Sequence, residues 1–208
     1  MKVAVIGGSG AMGRALATHL SREHQVIIGS RDPSRAAATA MSIGGASGAD
    51  YKGASRAADA LVFAIPYEAM SLVADLAADV SSKLVISVIN PMKMEGGLFR
   101  YALKDGSAAE ELARILPHSR VATAFNNVPS GFLKGDVVPP VDILVAADSK
   151  ETYEEAAKLV ASIREMRPLY VGPLTEARVV EEMTPLVLNL ANLNGTKALT
   201  TRFVTRKG

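Results

Sequence analysis

Residues 2–13 read KVAVIGGSGAMG, and this stretch decides the fold. A short Val- and Ile-rich run, Lys2–Gly7, is a strand signature. It passes directly into Gly8-Ser9-Gly10-Ala11-Met12-Gly13, which fits G-x-G-x-x-G. The next segment, Ala11–Arg22, places Met12, Ala15, Leu16 and Leu20 at helical spacing. Strand, glycine turn and helix within a βα unit of about thirty residues are the context in which this motif marks a dinucleotide site. The chemistry belongs to the main chain. Gly8 is expected to permit the tight turn, Gly10 to let the backbone approach a pyrophosphate, and Gly13 to bring the helix close to the strand. The unpaired amides of Ala11, Met12 and Gly13, at the positive end of the helix dipole, then face the phosphates.

The end of the second strand, Gln25–Gly29, indicates which dinucleotide. NAD enzymes place an acid about twenty residues beyond the loop, where it accepts from the ribose 2′-OH. Here that place falls in Gly29-Ser30-Arg31-Asp32-Pro33-Ser34-Arg35, with Ser30 where the acid would stand. A hydroxyl removes the repulsion a carboxylate would exert on a 2′-phosphate. Arg31 can then pair with the phosphate and stack on adenine. Arg35 adds a second cation one turn along, and Ser9 a nearby hydroxyl. Asp32, just before Pro33, reads as an N-cap with proline at N1. The expected cofactor is NADP(H).

Outward from this unit, strands alternate with helices. Pro33–Met41 reads as a helix, Asp50–Lys52 as a short third strand and Ser55–Asp59 as a brief helix. Ala60–Pro66 and Lys83–Ile89 are buried strands around a helix at Glu68–Val80. Asn90–Ser107, with Pro91 and three glycines, reads as a functional loop, and Ser107 as the cap of a helix at Ala108–Leu116. Arg120–Phe125, Val141–Ala147 and Leu169–Val171 are further strands, with a helix at Lys150–Ile163. Continuous apolar strands separated by helices predict an α/β, Rossmann-like, doubly wound and mainly parallel sheet. A small C-terminal helical part is expected to follow. The division is 1–148 for an NADP-binding domain and 149–208 for a small part completing a second-ligand cleft. In the last helix, Thr175–Asn194, the residues Val179, Met183, Leu186, Val187, Leu190 and Leu193 form one apolar stripe, and Pro185 is expected to kink it near Thr184. That stripe either packs on the sheet or forms a dimer contact or cleft wall.

Composition narrows the chemistry. The 208 residues are 49% hydrophobic and 21% charged, the balance of a globular chain able to bury its own core. Twenty-three Lys and Arg against 21 Asp and Glu give +2, without the concentrated basic footprint of a nucleic-acid binder. The absence of Cys removes thiolate nucleophiles and thiolate metal sites. His19, His24 and His118 lack ligand spacing, so no metal centre is expected. The start Met1-Lys2 shows no signal-peptide layout and no apolar stretch long enough for a membrane span, so a soluble, cytoplasmic protein is expected.

In an open α/β sheet, ligands bind beyond the carboxyl ends of the strands. The segments there are Ile65-Pro66-Tyr67, Asn90-Pro91-Met92 and Phe125-Asn126-Asn127-Val128-Pro129. They hold apolar and amide side chains and no triad or paired carboxylates. Direct hydride transfer between stacked rings needs positioning and exclusion of water rather than a protein acid. No catalytic residue is therefore expected; Ile65, Pro66 and Asn126 are expected to shape the ring pocket, with Ile65, Pro66 and Asn90 against the nicotinamide cofactor.

Four segments, MKVAVIGGSGAMGRALA, VIIGSRDPSRA, ALVFAIPYEA and GPLTEARVVEEMTPLVLNLANLNG, make nearly the whole chain resemble the F420-dependent NADP oxidoreductase family. The resemblance implies a Rossmann-like domain with a small C-terminal part, a homodimer, and hydride exchange between nicotinamide C4 and deazaflavin C5 of coenzyme F420. Its NADP positions match Ser9, Ser30, Arg31 and Arg35. Where archaeal members are expected to carry His, Asn126 stands. Lys93, Arg100, Arg178 and Lys197 could meet the phosphate and acidic tail of F420, or serve as surface charge. Two alternatives stay open on the same scaffold: an NADPH-dependent reductase of a flavin, ferric complex or imine, and a non-catalytic NADP-binding sensor.

Overall fold

The computed structural model describes residues 1–135, 138–204 and 206. Strand β1 (Lys2–Ile6) crosses through helix α1 (Ala11–Leu20) to β2 (Gln25–Gly29), and α2 (Pro33–Ile43) leads on to β3 (Ala46–Ala49). The chain then returns through α3 (Tyr51–Ala57) to β4 (Ala60–Phe63), on the other side of β1. A 3₁₀ helix, Tyr67–Leu76, precedes β5 (Leu84–Ser87). After it come the hairpin β6 (Met92–Glu95) and β7 (Leu98–Tyr101), helix α4 (Ala108–Ile115) and β8 (Arg120–Thr123). Strand β9 (Val141–Ala147), helix α5 (Lys150–Ala161) and β10 (Met166–Gly172) extend the sheet, and α6 (Ala177–Leu193) follows a short 3₁₀ turn. The main sheet has the order β10-β9-β8-β5-β4-β1-β2-β3. All neighbours in it are parallel except β8 and β9. The expected doubly wound Rossmann-like sheet is present.

Strand periodicity explains its two layers. Val3 and Val5 of β1 point to one face, where Leu16, Leu20, Ala36 and Leu159 of the helices α1, α2 and α5 cover them. Ala4 and Ile6 point to the other, under Ala54, Met70, Val73 and Leu112. Burial on both faces is why these strands read as unbroken apolar runs. The chain moves outward on one side of β1 and then jumps to β4, so a crevice opens at the carboxyl ends between β1 and β4.

Several expected elements lie elsewhere. The third strand is Ala46–Ala49, not Asp50–Lys52, because Asp50 accepts from the Gly53 amide at 2.6 Å and caps α3. That helix begins at Tyr51 rather than Ser55. The segment Glu68–Val80 is a 3₁₀ helix ending at Leu76. The expected loop after Asn90 is largely a hairpin, turned by Gly96 and Gly97 with φ of 56° and 78°. Helix α6 continues through Pro185. Its buried side carries Val180, Glu181, Thr184, Val187 and Ala191, whereas Val179, Leu186, Leu190 and Leu193 of the stripe are exposed at 42–72%.

Candidate functional site

At the end of β1 the turn is made by Gly7, whose φ is +83°, one position before the motif. The expectation that assigned this turn to Gly8 is corrected. Gly8 is required for closeness instead, since a Cβ there would lie 2.8 Å from the Val5 carbonyl oxygen. A Cβ on Gly13 would lie 2.7 Å from Gly8 Cα, so helix and turn touch backbone to backbone, as expected. Gly10 is the N-cap of α1 and has no side chain to accept from the first turn. The amides at Ala11, Met12 and Gly13 therefore begin a helix with no side-chain cap, open to an anion.

Beside this turn lies a cavity of about 260 Å³ lined by Gly7, Ser9, Gly10, Ser30, Arg31, Asp32, Arg35, Tyr51, Ala64, Ile65 and Pro66. It joins residues from the ends of β1, β2, β3 and β4. Ser30 is buried, and its hydroxyl lies 3.4 Å from that of Ser9 and 3.3 Å from the Asp32 amide. Asp32 accepts from the amides of Ser34 and Arg35, the capping role expected of it. Its carboxylate is thereby turned to α2 and not to a ribose. Arg31 and Arg35 are exposed, and neither has an ion-pair partner among the described residues. Two guanidinium groups without ion-pair partners, two hydroxyls and an uncapped helix fit a nucleotide with two separate anionic groups, a pyrophosphate and a 2′-phosphate, such as NADP. The Tyr51 ring was missed in the sequence because Asp50 was read as strand rather than cap. An Asp three residues before a Gly, ahead of an Ala-rich stretch, was the available signal.

Asn90 and Asn126 do not line that cavity; they meet beyond β5 and β8. Asn126 is 1% exposed. Its amide nitrogen donates to the Ile89 carbonyl at 3.2 Å and to Asn90 Oδ1 at 3.0 Å, and its oxygen accepts from Thr123 Oγ1 at 2.7 Å. Both amide hydrogens are spent and the side chain is buried, and its link toward the crevice is the bond to Asn90. The turn that aims it passes through Phe125, a fully buried residue with φ of 67°. Such a backbone costs about 1 kcal/mol or more and persists only where packing overrides it. Thr184 on α6 donates to the Asn126 carbonyl, and Asn127 is held by Asp142, Leu144 and Thr201. Asp142 itself is held well below the usual carboxylate range by Arg167.

Helix α6 also clamps the hairpin. Asn189 donates to and accepts from the Phe99 backbone, both at 2.8 Å. Buried Glu181 accepts from Tyr101 Oη and from the Ala108 and Ala109 amides at the start of α4. Burial pushes its carboxyl up to about 7, opposed by these three donors, which favour the ionised form. Tyr67 donates to Glu111 at 2.7 Å, and that bond pushes its phenol up to about 12. Of the four cations considered for an acidic tail, Lys93 is paired with Glu95 at 2.7 Å. Arg178 is committed to Glu182, to the Lys104 carbonyl and to the Tyr101 ring. Arg100 and Lys197 are exposed. His19 and His24 make internal bonds to the Leu133 carbonyl and Ser162 Oγ. Among the described residues, no cluster of three or more His, Cys, Asp and Glu could hold a metal ion, and no helix is long and apolar enough to cross a membrane.

A glycine loop at the switch point of a doubly wound sheet, with Ser30 where an acid would otherwise stand and two arginines beside it, defines a dinucleotide-binding protein of the Rossmann class. Residues 2–91 match the family described as NADP oxidoreductase coenzyme F420-dependent. The chain is 39% identical over 207 residues to an F420-dependent NADP reductase of Methanothermobacter thermautotrophicus, covering 91% of this chain and 89% of the relative. It is 31% identical to one from Methanocaldococcus jannaschii, covering 91% and 92%. In fold it is similar to the crystal structure of a proposed F420-dependent NADP-reductase from Arthrobacter sp. FB24, with a TM-score of 0.85, 22% identity, and 99% and 100% of the two chains covered. The chain belongs to the F420-dependent NADP reductase family.

Proposed function

We propose that Ser9, Ser30, Arg31 and Arg35 hold the 2′-phosphate end of NADP(H), and that Gly8, Gly10, Ala11, Met12 and Gly13 hold its pyrophosphate. Ile65, Pro66 and Asn90 flank its nicotinamide, with Asn126 fixing Asn90. As a member of its family, the chain is an oxidoreductase that works with NADP(H) and coenzyme F420. When bound, these carriers supply the hydride chemistry, exchanged between nicotinamide C4 and deazaflavin C5.

The observation that carries the reading is the cavity that gathers the glycine turn, two serines and two arginines without ion-pair partners, while Asp32 on its rim caps α2. The residues' work is positional: to grip phosphates, to order Asn90, and to keep water from the ring pocket. Glu111 is engaged by Tyr67, and Glu181 by Tyr101 and the start of α4. Residues 149–208 complete the F420 side of the cleft, with Arg100 and Lys197 as the uncommitted cations for its acidic tail. The exposed leucines of α6 form a homodimer contact, and the protein works in the cytoplasm. Anaerobic mixing of NADPH with F420 tests the reading: it predicts bleaching of the deazaflavin absorbance, and no bleaching at any pH would overturn it.

A further inference from the structure

Tyr51 stands in the cavity for a reason that α3 makes plain. Asp50 caps the helix, and the next residue is delivered to the rim where β2 and β3 end. The tyrosine is half-buried, its ring packed beside Ala49 against the core layer that contains Ala54. Its ring also lines the same cavity as Ser9, Ser30, Arg31 and Arg35. Its hydroxyl makes no hydrogen bond to any described residue. Tyr67, Tyr101 and Tyr170, by contrast, donate to Glu111, to Glu181 and the Gly106 carbonyl, and to the Ala147 carbonyl. A half-buried phenol without a partner, in a cavity otherwise furnished with cations and hydroxyls, is a donor awaiting an acceptor.

The position of Arg31 says which acceptor. Arg31 lines the same cavity as Tyr51, so an anion paired with that guanidinium lies in the space both residues face. Burial raises the phenol above its ordinary value, which keeps the proton on the oxygen and the group a donor throughout the physiological range.

We propose that Tyr51 is a specificity-determining residue: its hydroxyl donates to the 2′-phosphate that Arg31 and Arg35 bind. This rests on the NADP reading above and adds a neutral donor to it. A phenol donor discriminates differently from an arginine, because it contributes through one directed bond and not through long-range charge, and so resists screening by salt.

Calorimetric titration with 2′,5′-ADP and with 5′-AMP separates the two ideas, because both carry adenosine and only one carries the 2′-phosphate. Tyr51→Phe is expected to weaken 2′,5′-ADP about tenfold, the scale of a hydrogen bond to a charged group, and to leave 5′-AMP unchanged. In steady state the same variant raises the KM for NADPH without altering kcat or the KM for NADH. Tyr51→Leu, which removes the ring as well, keeps at least the same loss for 2′,5′-ADP. If Tyr51→Phe binds 2′,5′-ADP as tightly as the wild type, or loses both ligands equally, the proposal fails while the arginine site stands. If the wild-type protein itself does not prefer 2′,5′-ADP to 5′-AMP, the NADP reading fails and takes the proposal with it.

Discussion

Replacing Asn126 with Ala removes a side chain that is 1% exposed and makes three hydrogen bonds, to Thr123 Oγ1, the Ile89 carbonyl and Asn90 Oδ1. Thr123 keeps a second acceptor in the Ser87 carbonyl at 3.2 Å, so its hydroxyl is not orphaned. The Ile89 carbonyl loses its side-chain donor, and Asn90 loses the donor to its Oδ1 while keeping its own 3.4 Å donation to the Val88 carbonyl. At about 1 kcal/mol per bond, with a further penalty for an unpaired buried acceptor, the loss comes to about 3 kcal/mol. For a domain of this size that lowers Tm by roughly 6–12 °C. Asn90 is half-exposed and can turn to water, so Asn90→Ala costs less. Because the two amides share one bond, the double variant should be about 1 kcal/mol more stable than the sum of the singles predicts. Denaturation of the four proteins, with NADPH turnover measured alongside, gives the cycle. Strict additivity, or an Asn126→Ala protein within about 0.5 kcal/mol of the wild type, would refute the claim that Asn126 works by holding Asn90.

Gly13→Ala sets a Cβ 2.7 Å from Gly8 Cα and must push α1 off the turn, so NADPH affinity falls by roughly tenfold or more in a titration. Glu181 gives a pH signature. Its folded pKa, about 7, is above the ordinary carboxylate value of 4.5, so its stabilising contribution is full below about 4.5 and is lost as pH rises through 7. The stability difference between wild type and Glu181→Gln should therefore shift against the wild type by roughly 2–3 kcal/mol from pH 5 to pH 8. A flat difference contradicts it. Leu186→Asp combined with Leu190→Asp, on the exposed face of α6, should convert a dimer to a monomer in light scattering, and an unchanged mass counts against that contact.

The sheet was legible because its strands are buried on both faces, which leaves runs such as Leu61-Val62-Phe63 and Leu84-Val85-Ile86 without polar interruption. The glycine turn and the arginines after β2 were legible because their spacing is fixed by the βα unit itself. What was not legible depends on contacts across the chain. Ala46–Ala49 holds Ser47 and Gly48 and no large apolar residue, so only its pairing with β2 marks it as a strand. Tyr51 followed it out of view. The hairpin after Asn90 has strands of only four residues, Met92–Glu95 and Leu98–Tyr101, and is secured from outside, by Asn189 and Glu181 of α6. The stripe of α6 was correctly seen as apolar, but periodicity does not say which face is covered. The buried face turned out to carry Glu181 and Thr184, whose partners lie 73 and 58 residues away.

In this cavity the 2′-phosphate is to be read by two arginines that have no ion-pair partner among the described residues. Calorimetry of the apo-protein with NADPH and with NADH tests it most directly, repeated on the Arg31→Ala, Arg35→Ala double variant. NADPH should bind more tightly than NADH by roughly tenfold to a hundredfold, and the preference should collapse in the double variant while NADH binding is kept. Equal affinity of the wild-type protein for both nucleotides would contradict it.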